Sequence, residues 1–350
     1  MRGYVRTGMH GAQPERITQC RGVSGSAVRT QATKDSPPGA DTWRAEDRWR
    51  LRGRPSQGMR SWLATLERMD LRCAVGVPNV GQFADPRLIV ELAVLAERSG
   101  WAAIFIWDHL LYRDDWPVTD PWVTLAGIAA RTDRLRLGIM VAALPRQLPW
   151  EVAKRALTLH QLSEGRFLLG AGLGSMPEEY ESFGNEVGLR VRAERLDEAL
   201  EIITRLWRDE SVTYEGRHFQ VEKAAMRPLL GDGESIPIWT GGRWPNRPPF
   251  RRAAQWDGVI ATHSSFGKGE TMPPDELAAA VDFVNSYRAP GASPLDVAVE
   301  GASHTDATVA WDQVSPYLEA GLTWWVEALG WWRGDVDEAR RRVVAGPPHS

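Results

Sequence analysis

From about Met69 the chain alternates short apolar runs with longer stretches whose apolar residues recur every three or four positions. Eight runs stand out: Leu71–Val77, Ala102–Trp107, Leu135–Ala143, Phe167–Leu173, Ile236–Thr240, Asp257–Ala261, Leu295–Val299 and Thr323–Ala328. Each is too continuously apolar for a strand with one face in water, so the runs predict strands buried on both faces. Strands of that kind separated by helical stretches predict parallel β/α units, and eight units predict closure into an α/β barrel. The expected fold is therefore a single (β/α)8 TIM barrel over residues 69–350. An open doubly wound sheet is the alternative, which the strand count disfavours.

Helix boundaries carry their own signals. Asp85-Pro86 and Asp120-Pro121 each supply an N-cap acid followed by proline in the first turn. Gly100, Gly165 and Gly321 sit where helices should end in a left-handed turn. Between the fourth and fifth runs lies an insertion. It holds a helix whose Leu196, Leu200, Ile203 and Trp207 share one face, then a hairpin of residues 212–214 and 218–220 around Glu215-Gly216.

Composition divides the chain in two. Residues 1–68 carry 13 Lys/Arg against 6 Asp/Glu, while 69–350 carry 29 against 39, a formal charge of −10. The first segment mixes Gly, Ser, Pro and Arg without strand or helix period, which predicts a disordered extension outside the barrel. The net charge of −3 argues against a nucleic-acid partner. No apolar run approaches the length of a membrane span. Two cysteines, Cys20 and Cys73, form no disulfide framework and no metal spacing, so a reducing cytoplasm is expected.

In a barrel of this kind, chemistry gathers at the C-terminal ends of the strands. Asp108-His109 follows the second run and is the most reactive pair there, since an imidazole can exchange a proton near neutral pH. A hydrogen-bonded structural histidine is the competing reading. Neighbours on a strand point to opposite faces, so Asp108 need not touch His109. Gly170, Gly172 and Gly174 alternate, which strips one face of side chains so that a flat ring or a phosphate can approach; packing within the barrel would also use them. Their spacing is not that of a dinucleotide-binding turn. Gly241-Gly242 offers backbone N–H groups beside Arg243.

Glu178-Glu179 could set an acid over a bound ring or simply begin a helix. Glu300 and Glu327 lie in otherwise apolar runs, where a carboxylate is costly unless paired or at the mouth. Glu327, nearer the strand end, is the stronger site candidate. The pair could serve a hydrolytic barrel, a weaker reading. The 17 tryptophans, Trp331 and Trp332 among them, can line an apolar mouth or fill the core. Metal-binding, P-loop and serine-hydrolase motifs are missing.

Several segments resemble luciferase-like flavin- or F420-dependent oxidoreductases. They are Trp107–Leu111, Gly165–Gly174 with Glu178-Glu179-Tyr180 and Phe183-Gly184, Arg195–Ala199, Tyr214-Glu215-Gly216, Ile236–Gly242 and Ala253–Gly258. Singly weak, they occur in family order. The resemblance implies an enzyme passing a hydride, or activated oxygen, between FMN or F420 and a small organic substrate. The Asp-His pair and the arginine-rich composition favour F420. It implies a ring resting on a bulge of the third strand at Met140, Val141 and Ala142, a bulge often shaped by a non-proline cis peptide. The phosphate would sit among Gly174, Ser175, Gly241, Gly242 and Thr262, with Gly172 also against the cofactor, and His109 matches a position that contacts substrate or relays protons in some members. With Asp108 and Glu327, read from the residues above, it makes up the catalytic candidates. Pro145–Pro149 departs from the family's R-H-P stretch. Homodimers formed through barrel helices are implied as well. A non-catalytic flavin-binding barrel is the other functional class to be tested.

Overall fold

A computed structural model describes residues 71–113, 115–231, 233–265 and 270–349. The expected extension of residues 1–68 lies outside the described residues. Eight parallel strands close a barrel: β1 (Arg72–Val77), β2 (Ala103–Ile106), β3 (Arg136–Ala143), β4 (Phe167–Gly172), β7 (Ile238–Trp244), β8 (Gly258–His263), β9 (Asp296–Gly301) and β10 (Trp324–Ala328). The antiparallel hairpin β5 (Val212–Glu215) and β6 (Gln220–Ala224) stands apart, after the helix Gly188–Arg208. The predicted barrel, insertion and hairpin are all present.

Local signals act as their chemistry dictates. The Asp85 carboxylate accepts from the Arg87 N–H, and that of Asp120 from Val123, each opening a helix with proline in its first turn. Leu196, Leu200, Ile203 and Trp207 are buried against the barrel. Gly100, Gly165 and Gly321 all adopt positive φ after their helices.

Two apolar layers result. The outer one fills the space between strands and helices. The inner one fills the lumen, where Trp239 and Trp324 lie 5.3 Å apart and Phe105 lies 5.5 Å from Trp239. The barrel is thus a packed core closed below its mouth, not a pore.

Three strands run further than their apolar runs: β9 reaches Gly301, and two others extend into the mouth. β7 continues through Gly241-Gly242 to Trp244, and β8 through Thr262 to His263, with Gly242 paired to Ala261 and Arg243 to Thr262. These residues were expected in the loops beyond their strands. A ladder needs backbone groups only, so it continues past the point where side chains cease to be apolar.

Candidate active site

The rim is built from strand ends, and its two halves differ. On the first half, β3 bulges between Ile139 and Ala142, with a non-proline cis peptide between Met140 and Val141. Beside it, β4 and β7 present glycines. A Cβ on Gly172 would come within 2.6 Å of Val141 Cγ2, and one on Gly241 within 3.3 Å of Cγ1. The alternating glycines therefore seat the β3 bulge, and Val141 stands half-buried on top as a shelf. Met140 faces the lumen, whereas Ala142 is fully buried toward the helices. Past β4, Gly174 at φ +76° turns the chain sharply toward Ser175, which is exposed. Tyr180 fixes this turn by donating from Oη to the Leu173 carbonyl at 2.6 Å. Gly242 is buried with its α-carbon against Pro249 and Phe250, so it offers backbone only. Half-buried Thr262 donates to the Gly242 carbonyl at 3.0 Å.

On the other half stands His109. Asn79 fixes its backbone, donating to the His109 carbonyl and accepting from its N–H. The ring's Nδ1 lies 3.1 Å from Glu179 Oε1, while Nε2 has no bonding partner among the described residues. With Nδ1 donating to the carboxylate, neutral His109 carries its acceptor lone pair on Nε2. Glu179 is 2% exposed and also accepts from the Leu110 N–H at 2.6 Å and from Arg146 at 2.8 Å. Burial alone would raise its pKa, but the His109 bond and the Arg146 charge outweigh that and hold it below the usual carboxylate range.

Arg146 reaches Asp108 Oδ1 at 3.0 Å as well, and the Asp108 carbonyl at 2.6 Å. Asp108 Oδ2 in turn accepts from the Ala143 N–H and from Gln147. Buried, Asp108 has its pKa raised by desolvation, which prevails over the guanidinium beside it. Its partners are Arg146, Ala143 and Gln147 rather than His109, so it ties the end of β2 to the bulge of β3. Thus the imidazole is anchored to the shelf through Asp108 and Arg146, with Glu179 between them.

Glu327 is not at the mouth. Trp324 and Val326 fill the lumen, so Glu327 points the opposite way, into the helix layer, and is fully buried. It accepts from the Ser303 N–H and hydroxyl, from Trp325 Nε1, and from Arg333 and Arg342. The carboxylate that does face the lumen is Glu300, which pairs in register with Val326 and accepts from Trp107 Nε1 at 3.3 Å. Among the described residues, no cluster of potential metal ligands occurs.

Because Glu179 titrates lower in the folded chain than unfolded, its contribution to stability is full above the unfolded value, about 4.3. That contribution is lost as pH falls through the folded value. The stability difference between the wild type and Glu179→Gln, read from urea midpoints, should therefore be largest near neutrality and shrink below about pH 4. A difference that grows toward acid would reverse the assignment.

Comparison with known proteins fits this geometry. The family model described as luciferase-like monooxygenase matches residues 69–343. The F420-dependent glucose-6-phosphate dehydrogenase of Nakamurella multipartita is 35% identical over 213 residues, covering 56% of this chain and 57% of that enzyme. An uncharacterised protein of Mycobacterium bovis is 31% identical over 230 residues, covering 60% of this chain and 75% of its own. The chain thus spans little more than half the length of the dehydrogenase it matches. Among solved structures, the coenzyme F420-dependent tetrahydromethanopterin reductase of Methanopyrus kandleri superimposes with a TM-score of 0.61 at 17% identity. That match covers 79% of this chain and 98% of the reductase. The FMN complex of the oxygenating constituent of 3,6-diketocamphane monooxygenase from Pseudomonas putida gives 0.53 at 21% identity, covering 66% and 67%. At those identities the structures show a shared fold.

Proposed function

Because the chain belongs to the luciferase-like monooxygenase family, we propose that it is an oxidoreductase acting on a small organic substrate with a flavin-type cofactor at the barrel mouth. F420 is favoured over FMN, since the curated dehydrogenases it resembles are F420-dependent and the FMN-bound likeness is more distant. The observation that carries the reading is the shelf: half-buried Val141 beside side-chain-free Gly172 and Gly241, tied through Ala143, Asp108, Arg146 and Glu179 to a histidine whose Nε2 has no bonding partner among the described residues.

Such a cofactor, when bound, supplies a ring that accepts or donates a hydride. Met140 and Val141 would support that ring, and the turn at Gly174-Ser175 with Gly241 and Thr262 would take the phosphate. Ala142 and Gly242 would contribute through their backbone. His109 Nε2 would accept the proton leaving a substrate hydroxyl, or return it to a carbonyl oxygen, while Glu179 steadies the imidazolium so formed. Asp108 and Arg146 hold this pair in place.

The same proposal leaves residues 1–68 outside the catalytic barrel, places the protein in the cytoplasm and pairs two copies through barrel helices. No helix among the described residues is long and apolar enough to cross a membrane. Titrating the purified full chain with F420 and with FMN tests the core of it. Quenching of ligand fluorescence at micromolar concentrations is expected for at least one of them, with F420 the tighter. If neither binds, the redox reading is wrong.

A further inference from the structure

The glycine half of the mouth also carries a cation. Every residue of β7 from Trp239 to Trp244 pairs with β8 without a break in register, so successive side chains take opposite faces. Trp239 points into the lumen, and a Cβ on Gly241 would point at Val141. Gly242 faces Pro249 and Phe250 in the helix layer, where Trp244 packs on Phe250 at 5.2 Å. Arg243 therefore shares the face of Trp239 and Gly241, and it stands exposed above the shelf. Its ladder partner Thr262 comes two residues after lumen-facing Ile260 and turns the same way.

On β4 the same height is reached by the glycine turn: three residues on from the paired Ala171 and Thr240 are Gly174 and Arg243. Among the described residues, the N–H groups of Gly174 and Ser175 have no acceptor, and the Arg243 side chain has no hydrogen bond or ion pair. Other guanidinia near the mouth are engaged. Arg146 binds Asp108 and Glu179, Arg192 binds Glu186 over the Tyr180 ring, and Arg247 lies over Phe283. Thr262 spends its proton on the Gly242 carbonyl, so the donors left on this side are the Arg243 guanidinium and the N–H groups of the turn. A fork of charged donors beside open backbone N–H groups matches an anion with several oxygens, above all a phosphate.

We propose that Arg243 is the residue by which the mouth selects a phosphate-bearing cofactor, its guanidinium holding the phosphate of a ligand whose ring lies on Val141. This rests on the redox reading of the mouth and goes beyond it, because it assigns charge recognition to one side chain and makes a phosphate-free ring a poor ligand. A phosphate on the substrate would offer the same chemistry. The place of Arg243 favours the cofactor's, since β7 lies three strands round the barrel from β2, which carries His109 at its end.

Fluorescence titration of the full chain with two pairs of ligands tests the assignment: FMN against riboflavin, and F420 against the deazariboflavin that lacks its phosphodiester and tail. In whichever pair binds, the phosphate-bearing member should bind the wild type at least about tenfold tighter. Arg243→Gln should erase most of that preference and leave the phosphate-free ring unchanged. Arg243→Lys, which keeps the charge but not the fork, should recover part of it. Added salt should weaken the phosphate-bearing ligand more than its partner. Thermal melts of both variants separate lost binding from lost fold. Equal affinities within each pair for the wild type, or a folded Arg243→Gln that keeps the preference, would overturn this inference alone, because ring binding leaves the redox reading standing. Glucose 6-phosphate binding that is lost in Arg243→Gln while the cofactor preference persists would overturn it too, by moving the guanidinium to the substrate. If none of the four rings binds, the redox reading falls and this inference falls with it.

Discussion

Glu327→Gln is expected to cost the fold on the order of 3–5 kcal/mol, the loss seen when one partner of a buried ion pair is removed. The carboxylate is fully buried and gathers five donor groups. Ser303 Oγ is at 2.6 Å, Trp325 Nε1 at 2.9 Å, the Ser303 N–H at 3.0 Å and Arg342 at 3.2 Å, with Arg333 as the fifth. An amide removes the negative charge and turns one acceptor into a donor facing donors. Arg342, itself 2% exposed, would be left as an uncompensated buried cation. The same charge acts on its neighbour Cys73, whose thiol is pushed up to about 12 by burial first and by Glu327 second.

Urea unfolding of the two proteins measures the cost, and a loss under about 1 kcal/mol would show that solvent or rearrangement supplies a substitute. Replacing both Glu327 and Arg342 by leucine should recover part of the loss, because a buried pair removed whole is far less costly than one broken. Arg333 also bonds the Ser303 and Ala328 carbonyls, at the base of the loop that carries Trp331 and Trp332. Loosening Glu327 should therefore disturb the loop that carries Trp331 and Trp332 as well.

That Glu327 is a structural anchor while Glu300 faces the mouth was not legible in the sequence. In a barrel both faces of each strand are apolar, so a period of two gives two faces without saying which is the lumen. Register decides it: Val326 fills the lumen, and Glu300 sits beside it on β9. The strand count, the helix caps and the glycine turns were legible because each depends on local chemistry. The bond from His109 to Glu179 joins residues 70 positions apart and needed the closed barrel to be seen. Arg146 was missed for the same reason, since its partners come from the end of β2 and from the short helix Glu178–Glu181. Gly170 and Gly172 were rightly read as a stripped face. What approaches that face is the protein's own third strand: a Cβ on Gly170 would run into the Ile139 carbonyl, and one on Gly172 into Val141.

His109→Ala is expected to lower kcat/KM by about 10²–10⁴-fold, the range for losing a positioned general acid–base group, while cofactor affinity changes little. The separation of effects follows from geometry. The imidazole is bonded to Glu179 and lies beside Trp107 and Tyr112, whereas the shelf of Met140 and Val141 and the turn at Gly174 do not depend on it. Glu179 keeps the Leu110 N–H and Arg146 when the ring is removed, so it is not stranded as a lone buried charge, and the fold should survive. Two measurements distinguish proton transfer from packing. Added imidazole should restore part of the lost turnover if a missing base is the defect. His109→Phe, which keeps a ring against Trp107 and Tyr112, should be as slow as alanine. A His109→Ala protein that binds cofactor and turns over at the wild-type rate would remove the histidine from the chemistry. Glu300, a carboxylate that faces the lumen among the described residues, would be next to test as the proton's acceptor.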